Sequence, residues 1–250
     1  MELIILGSGT AALQHERGPS GYLLRVDGET CLIDGGTGAL LNALRAGISY
    51  KEIDKLFYTH LHPDHTIDLI PFLFASKNTP GFARTQMLHI FGPVGFAAFY
   101  DKLLDVYGRS MVEVAYDIEI TELAESNIAL RSFGLQSGLM RHSQHAIGYR
   151  FEQTGKVLVY SGDTDMCDDI VELARDADVL VLECSFDDDH KTAGHLTPTE
   201  AGRIASAAGV KHLILTHLYP PFDEVQVLTA VGKQFGGKAS IARDLMQVRI

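Results

Sequence analysis

Basic residues are in short supply. Against 32 Asp and Glu the chain sets 21 Lys and Arg, a formal charge of −11 over 250 residues. Broad affinity for nucleic acid depends on basic surface and counterion release, so this balance argues against a non-specific binder while leaving room for a local basic site. Cysteine is scarce too. Cys31, Cys167 and Cys184 are odd in number with no paired spacing, which argues against a disulfide framework and fits a reducing cytosol. Cys31 and Cys184 lie in apolar runs and are expected to be buried. No apolar stretch approaches a membrane span, and Met1 to Leu6 carries no basic leader, so a cytoplasmic protein with no membrane partner is expected. The loop Gly7-Ser8-Gly9 lacks the Walker lysine and the third Rossmann glycine, and is read as a turn rather than a phosphate cradle.

What is present is ample core. With 46% hydrophobic and 21% charged residues, the chain is expected to fold as one domain over residues 1–250 without covalent staples. Leu3 to Leu6, Tyr22 to Val26 and Cys31 to Ile33 read as an N-terminal antiparallel sheet, and Ala39 to Ala46 as a helix. Asp34 is either a helix cap or a carboxylate that orients a histidine. A capping-box spacing from Ser49 to Glu52 precedes a strand from Lys55 to Thr59. Helical spacing follows over Ile67 to Phe74, then a solvated loop from Lys77 to Arg84. Leu88 to Phe91 reads as a strand with a packed His89, Gly95 to Tyr107 as a helix, and Val112 to Leu123 and Ile128 to Phe133 as strands. Thr154-Gly155 joins two strands in a compact hairpin. Later come a helix from Asp168 to Arg175, a strand from Val179 to Leu182, a helix opened by Thr197-Pro198-Thr199-Glu200, a strand from Leu213 to Leu215 and a helix near Val225 to Phe235. The run Asp187-Asp188-Asp189-His190 is read as solvated surface. Strands alternating with helices in both halves imply two mixed sheets packed face to face with helices outside, an α/β (α+β) arrangement.

The densest chemistry is Thr59-His60-Leu61-His62-Pro63-Asp64-His65, four metal-capable side chains within six residues. His60 and His62 leave the strand end on the same side, and Pro63 turns the chain so that Asp64 and His65 approach a neighbouring point. Two adjacent metals would use both pairs. Other candidates sit at later strand ends: His142, Asp163 in Ser161-Gly162-Asp163-Thr164, Glu183, and His217 after Leu213 to Leu215. His195 stands just before a helix start.

In this order the residues resemble the metallo-β-lactamase superfamily, and in particular its ribonuclease Z-like branch. The matching features are the His-x-His-x-Asp-His run, His142 six residues before Gly148-Tyr149-Arg150, Ser-Gly-Asp-Thr at Asp163 and Thr-His at His217. The resemblance implies a four-layer αββα sandwich. It implies that His60, His62 and His142 hold one divalent metal, that Asp64, His65 and His217 hold a second, and that Asp163 bridges them. His145 competes with His142, but the spacing to Gly148 favours His142. Imidazole and carboxylate without thiolate suit Zn2+ best, and Mn2+ or Fe is accepted by the same set. Such a pair, roughly 3.5–4 Å apart, supplies hydroxide near neutral pH. His195 is the implied proton donor to a leaving group, Glu183 its support, and Asp64 both ligand and guide for the attacking hydroxide.

Two departures qualify the resemblance. The branch usually carries a histidine before the Glu183 position, where this chain has Leu182, and that weakens the expected support of the acid. The bacterial transfer-RNA enzymes also carry a long arm between Gly-Tyr-Arg and Ser-Gly-Asp-Thr, where this chain has only Phe151 to Tyr160. The expectation is a binuclear hydrolase of a small anionic phosphodiester, with RNA as a less favoured partner and a homodimer as the family-based assembly. Ribonuclease Z-type transfer-RNA 3′ cleavage, hydrolysis of a lactone, thioester or aryl sulfate, and a non-catalytic metal carrier are the alternatives. A redox di-iron site is disfavoured, because such members carry a carboxylate where His62 stands.

Overall fold

The computed structural model describes residues 1–108 and 116–250. The first half contains β1 (Glu2–Gly7), β2 (Gly21–Val26), β3 (Glu29–Gly35), α1 (Ala39–Arg45), β4 (Lys55–Phe57), α2 (Pro63–Thr66), α3 (Leu69–Asn78), β5 (Leu88–Pro93), α4 (Phe96–Tyr107) and β6 (Ile118–Leu123). The second contains β7 (Ser126–Ala129), β8 (Gly134–Leu139), β9 (Ile147–Gln153), β10 (Lys156–Tyr160), α5 (Asp168–Leu173), β11 (Val179–Glu183), α6 (Pro198–Ala207), β12 (His212–Thr216), α7 (Glu224–Gly232), β13 (Lys238–Ile241) and β14 (Gln247–Arg249). Among the described residues these strands form two seven-stranded sheets, β14-β1-β2-β3-β4-β5-β6 and β13-β12-β11-β10-β9-β8-β7. Each is antiparallel at one end and parallel at the other: pairing changes hand between β3 and β4 in the first and between β10 and β11 in the second.

Alternation along the strands builds the layers. Ile5, Tyr22, Ile33, Phe57, Phe151, Leu158, Val181 and Ile214 point between the sheets and share one core. Leu6, Leu23, Leu32 and Leu56 point outward, where α1, α3 and α4 cover them with Ala43, Phe72 and Phe96. Val159, Leu180, Leu182 and Leu215 point outward on the other sheet, under α5, α6 and α7. This is the expected four-layer αββα sandwich. Phe57 stacks on Phe91 at 4.8 Å and meets Tyr149 and Phe151 edge-on. Burying one such ring contributes about 1.5–3 kcal/mol.

Most elements lie where the pattern places them. The Thr154-Gly155 turn has φ of 49° and 73°, the pair of positive values a tight two-residue hairpin needs. Both capping boxes form, at Ser49/Glu52 and Thr197/Glu200. Cys31 and Cys184 are buried, and all three cysteines are free. Of the two readings of Asp34 the helix cap is set aside, since the residue before α1 is Gly38. Four expectations are corrected. In place of one strand from Ile128 to Phe133, β7 ends at Ala129 and β8 begins at Gly134. The segment from Lys77 is not a solvated loop throughout: α3 runs to Asn78, and Arg84 is buried, donating to the Ile53 carbonyl with its guanidinium against Phe72 and Tyr116. The last strand of the first sheet begins at Ile118, with residues 112–115 of the expected strand outside the described residues. Leu182 faces the helices rather than the site, so its replacement of a histidine leaves the Glu183 side chain free to do what is described below. His89 is paired with Glu119 at 3.1 Å. No described helix is long and apolar enough to cross a membrane.

Candidate metal centre

The loops at one end of both sheets carry the polar residues that the sequence singles out. β4 stops at Phe57, and Pro63 starts α2 at its first position, where its missing N–H costs nothing. That turn sends His60 and His62 one way and Asp64 and His65 another. From the second sheet, His142 follows β8, Asp163 follows β10, and His217 follows β12. Gly162, at φ 60°, lets the Asp163 loop approach the His60 loop: a Cβ there would stand 2.7 Å from the Thr59 Cβ.

Two groups of donor atoms result. His60, His62, His142 and Asp163 present theirs within 4.8 Å of one another, and Asp64, His65 and His217 do the same. His60 Nε2 and His142 Nε2 lie 3.0 and 3.1 Å from His62 Nδ1, and 3.8 and 3.7 Å from Asp163 Oδ2. Asp64 Oδ2 lies 3.5 Å from His217 Nε2 and 3.9 Å from His65 Nε2. Asp163 reaches this group as well, with Oδ1 3.4 Å from His65 Nε2 and Oδ2 3.6 Å from His217 Nε2. Ligands at about 2.0–2.1 Å around a tetrahedral cation stand roughly 3.3 Å apart, so these spacings suit small divalent ions. His65 Nε2 and His217 Nε2 are buried without a hydrogen-bond partner, a costly state that a cation would relieve. His145 is exposed beside Gln144, outside both groups.

The opposite ring nitrogens of His60, His65, His142 and His217 are engaged, which turns these four donors inward. Asp34, fully buried, accepts from His65 Nδ1 at 2.7 Å, Tyr160 Oη at 2.9 Å and Thr59 Oγ1 at 2.8 Å. Thr59 Oγ1 in turn meets His60 Nδ1 at 3.1 Å. So Asp34 is the orienting carboxylate of its two readings. Glu183, equally buried, accepts from His195 Nδ1 at 2.9 Å and Ser185 Oγ at 2.8 Å, and Ser185 Oγ meets His217 Nδ1 at 2.9 Å. The backbone N–H groups of Thr164 and Leu196 also donate to Glu183. His142 Nδ1 donates to the Gly194 carbonyl at 2.8 Å. Gly194 is tied through its N–H to Asp165, which pairs with Lys191 at 2.7 Å.

Electrostatics favour metal-ready protonation states at His60 and Asp163, whereas at His65 burial opposes a charge but Asp163 and Asp34 outweigh it and raise the pKa well above the ordinary value. Burial, then the neighbouring His65, lowers the His60 pKa well below its ordinary value, keeping the ring neutral. Burial resists a charge on Asp163, yet His217, His65 and His60 outweigh it and hold the carboxyl ionised. Burial likewise opposes a charge on His195, but the Glu183 hydrogen bond and charge prevail and raise its pKa. His195 also offers a ring nitrogen within 4.8 Å of Asp163 and His217 donor atoms.

A second support comes from the far end of the chain. The His217 N–H donates to the Ser8 carbonyl at 3.1 Å. Ser8 is held by Asp244 Oδ1, at 2.9 Å to its N–H and 2.8 Å to its hydroxyl, and by Arg17 Nη1 at 3.0 Å. His217 itself sits at φ 57°, a left-handed conformation that costs a β-carbon residue on the order of 1–3 kcal/mol and persists only when neighbours impose it. Thr59, Ser185, Asp165, Lys191 and Asp244 carry no motif of their own. Ser185, two residues beyond Glu183 along an extended chain, was the one whose spacing could have revealed it.

The fold and these strand-end residues define a class. The chain belongs to the metallo-β-lactamase superfamily: a family model described as beta-lactamase superfamily domain matches residues 29–218. Within it, the chain belongs to the ribonuclease Z-like branch. It is 30% identical to a ribonuclease Z of Methanothermobacter thermautotrophicus, with 100% of this chain and 97% of that protein covered. That alignment runs over 303 positions, so the relative carries segments that this 250-residue chain lacks. The short form of human tRNase Z superposes with a TM-score of 0.81 at 25% identity, covering 100% of this chain and 99% of that one. The metallo-beta-lactamase fold protein YhfI from Bacillus subtilis superposes with a TM-score of 0.85 at 23% identity, covering 99% and 98%. The chain is thus a metal-dependent hydrolase of this superfamily, with a His/Asp cluster consistent with a binuclear site.

Proposed function

We propose that the protein is a phosphodiesterase acting on a small diester, organised as one hydrolase domain over residues 1–250. The observation that carries this reading is His195, an imidazole held by a buried carboxylate at 2.9 Å beside the two donor groups. In this reading His60, His62, His142 and Asp163 hold one divalent ion, with Zn2+ best matched to the donors, and Asp64, His65, His217 and Asp163 hold the other. When bound, the pair supplies a hydroxide nucleophile near neutral pH and positive charge for the phosphoryl oxygens. The chain's own residues do the rest. Asp34 and Thr59 fix two ligand rings, Asp64 lies where it can direct the attacking oxygen, and Glu183 keeps His195 Nδ1 protonated so that Nε2 delivers a proton to the leaving alkoxide. The three unpaired thiols fit a reducing cytosol.

A second reading, transfer-RNA 3′ cleavage, draws on the ribonuclease Z relatives. The tight turn at Thr154-Gly155 and the charge of −11 favour the small diester. The test is metal analysis of the purified protein followed by a panel of phosphomonoester, phosphodiester, thioester, lactone, aryl sulfate and precursor transfer RNA. Turnover of bis(p-nitrophenyl) phosphate above the other esters is expected; its absence alongside turnover of a lactone, thioester or aryl sulfate overturns the assignment, and RNA cleavage at a matching rate restores the second reading. His195→Ala should keep both metals and lower turnover about 10²–10⁴-fold for alkyl leaving groups, but far less for p-nitrophenolate, which needs no proton. Equal losses for both would remove the acid role.

A further inference from the structure

His60, His65 and His217 each rest their outer ring nitrogen on a hydroxyl or a carboxylate. His142 rests its own on a backbone carbonyl, that of Gly194, at 2.8 Å. A carbonyl is only as well placed as the loop that carries it. The next residue of that loop is His195, whose ring lies 4.8 Å from that of His142. One short segment therefore aims two rings, and whatever holds the segment decides where both stand.

Lys191 is the cation at its base. The Lys191 Nζ donates to Asp165 Oδ1 at 2.7 Å, to the His195 carbonyl and to Glu200 Oε2. The other oxygen of Asp165 accepts the Gly194 N–H at 2.9 Å. The Asp165 N–H donates at 2.8 Å to the carbonyl of Arg141, the residue before His142. Glu200 belongs to the capping box that opens α6. Lys191 thus joins the loop after β10 and the start of α6 to the segment that carries Gly194 and His195. Gly194 stands at φ 87°, and a Cβ there would lie 3.2 Å from His142 Nδ1, so the backbone presses closely on the ring. The Lys191 and Asp165 side chains are 32% and 17% exposed, and an ion pair so placed adds little to stability. Its acceptors instead converge from separate elements, which fixes the place of the loop.

We propose that Lys191 is a positioning residue that couples the two rings: through Asp165 and Gly194 it sets His142 toward the first donor group, and through the His195 carbonyl it sets the acid toward the leaving group. The first half rests on the two-ion reading and the second on the phosphodiesterase reading. The hold on the His142 ring itself rests on neither.

The test is Lys191→Met, which keeps the aliphatic stem and removes the ammonium, in the metal-loaded full chain. In protein labelled with 15N-histidine, the His142 Nδ1–H should exchange with water about tenfold faster than in the wild type, while the His65 Nδ1–H, bonded to Asp34, keeps its rate. Asp165→Asn should give the same pattern, and the two changes together should add less than their sum. In chelator competition one ion should leave about tenfold more readily and the other as in the wild type; in a His142→Ala background Lys191→Met should change nothing further. In kinetics, kcat should fall about tenfold more for an alkyl than for a p-nitrophenyl leaving group, with KM unchanged, and a His195→Ala background should erase that difference. Unchanged exchange at His142 overturns the proposal, and so does equal loosening of His142 and His65, which marks a general loss of packing. If the wild type holds fewer than two ions the two-ion reading fails, and if it turns over no diester the phosphodiesterase reading fails; in either case exchange at His142 still decides whether Lys191 holds that ring.

Discussion

Asp34 and Glu183 are the same device built twice, once in each sheet. Each is a fully buried carboxylate at a strand end, bonded directly to one imidazole and, through a hydroxyl, to a second: His65 and Thr59–His60 for Asp34, His195 and Ser185–His217 for Glu183. The outcome differs. Both imidazoles governed by Asp34 present Nε2 to the two donor groups, whereas of those governed by Glu183 His217 belongs to them and His195 lies beside them, within 4.8 Å of the Asp163 and His217 donor atoms, with a raised pKa. On the proposed reading the first hub serves metal retention alone. The second would divide between retention and proton delivery, which makes it the hub where pH and leaving group should register.

That contrast can be broken at several points. Asp163→Ala removes the carboxylate common to both donor groups; paired metal occupancy should be lost, with turnover down by about 10³-fold or more, as several kcal/mol of charge stabilisation vanish at 1.36 kcal/mol per decade. Retention of two metals per chain by elemental analysis would remove its bridging role. Asp34→Asn should lower metal affinity about 10–100-fold, the usual cost of losing a ligand's orienting partner. Chelator competition measures it, and unchanged affinity would break the parallel between the hubs at its firmer end. Glu183→Gln should retain more metal than Asp34→Asn but move the alkaline limb of the rate profile. Because Glu183 raises the His195 pKa, the wild-type acid stays protonated above the ordinary histidine value and is lost as pH rises through the raised one. Without the charge the limb falls to lower pH, and a stationary limb would dissociate His195 from it. Ser185→Ala should have the smallest effect, about tenfold in metal affinity and measurable by the same competition, since His217 keeps its other constraints.

The first hub was largely legible in the sequence and the second only in part. His60, His62, Asp64 and His65 are packed into one turn, so a short window carries four of the seven donor residues, and Asp34 closes its strand in an Asp-Gly-Gly signal. The second sheet distributes its contributions among four loops between His142 and His217, each an isolated residue whose neighbours are ordinary. The resemblance to the family drew them together; spacing alone did not. What stayed hidden were groups with common side chains in uncommon places: Ser185, the Asp165–Lys191 pair and Asp244 act only because distant loops meet. Leu182 shows the converse. Its substitution for histidine looked like a weakened acid, but strand alternation turns it toward α6, and the Glu183–His195 bond at 2.9 Å does not depend on it. The layered fold was legible because alternation and turn chemistry are local, whereas the buried Arg84 was not, because its carbonyl and aromatic partners lie elsewhere in the chain.

The clasp of Ser8 by Asp244 bears on the order in which the molecule matures. His217 receives its backbone restraint from Ser8, and Ser8 receives its own from a residue 27 positions beyond His217. A nascent chain extruded only as far as α7 would already carry all seven metal-capable side chains, yet its last imidazole would lack the neighbour that holds its left-handed backbone. On the proposed two-ion reading, the backbone of His217 would thus be fully held only once Asp244 has joined Ser8.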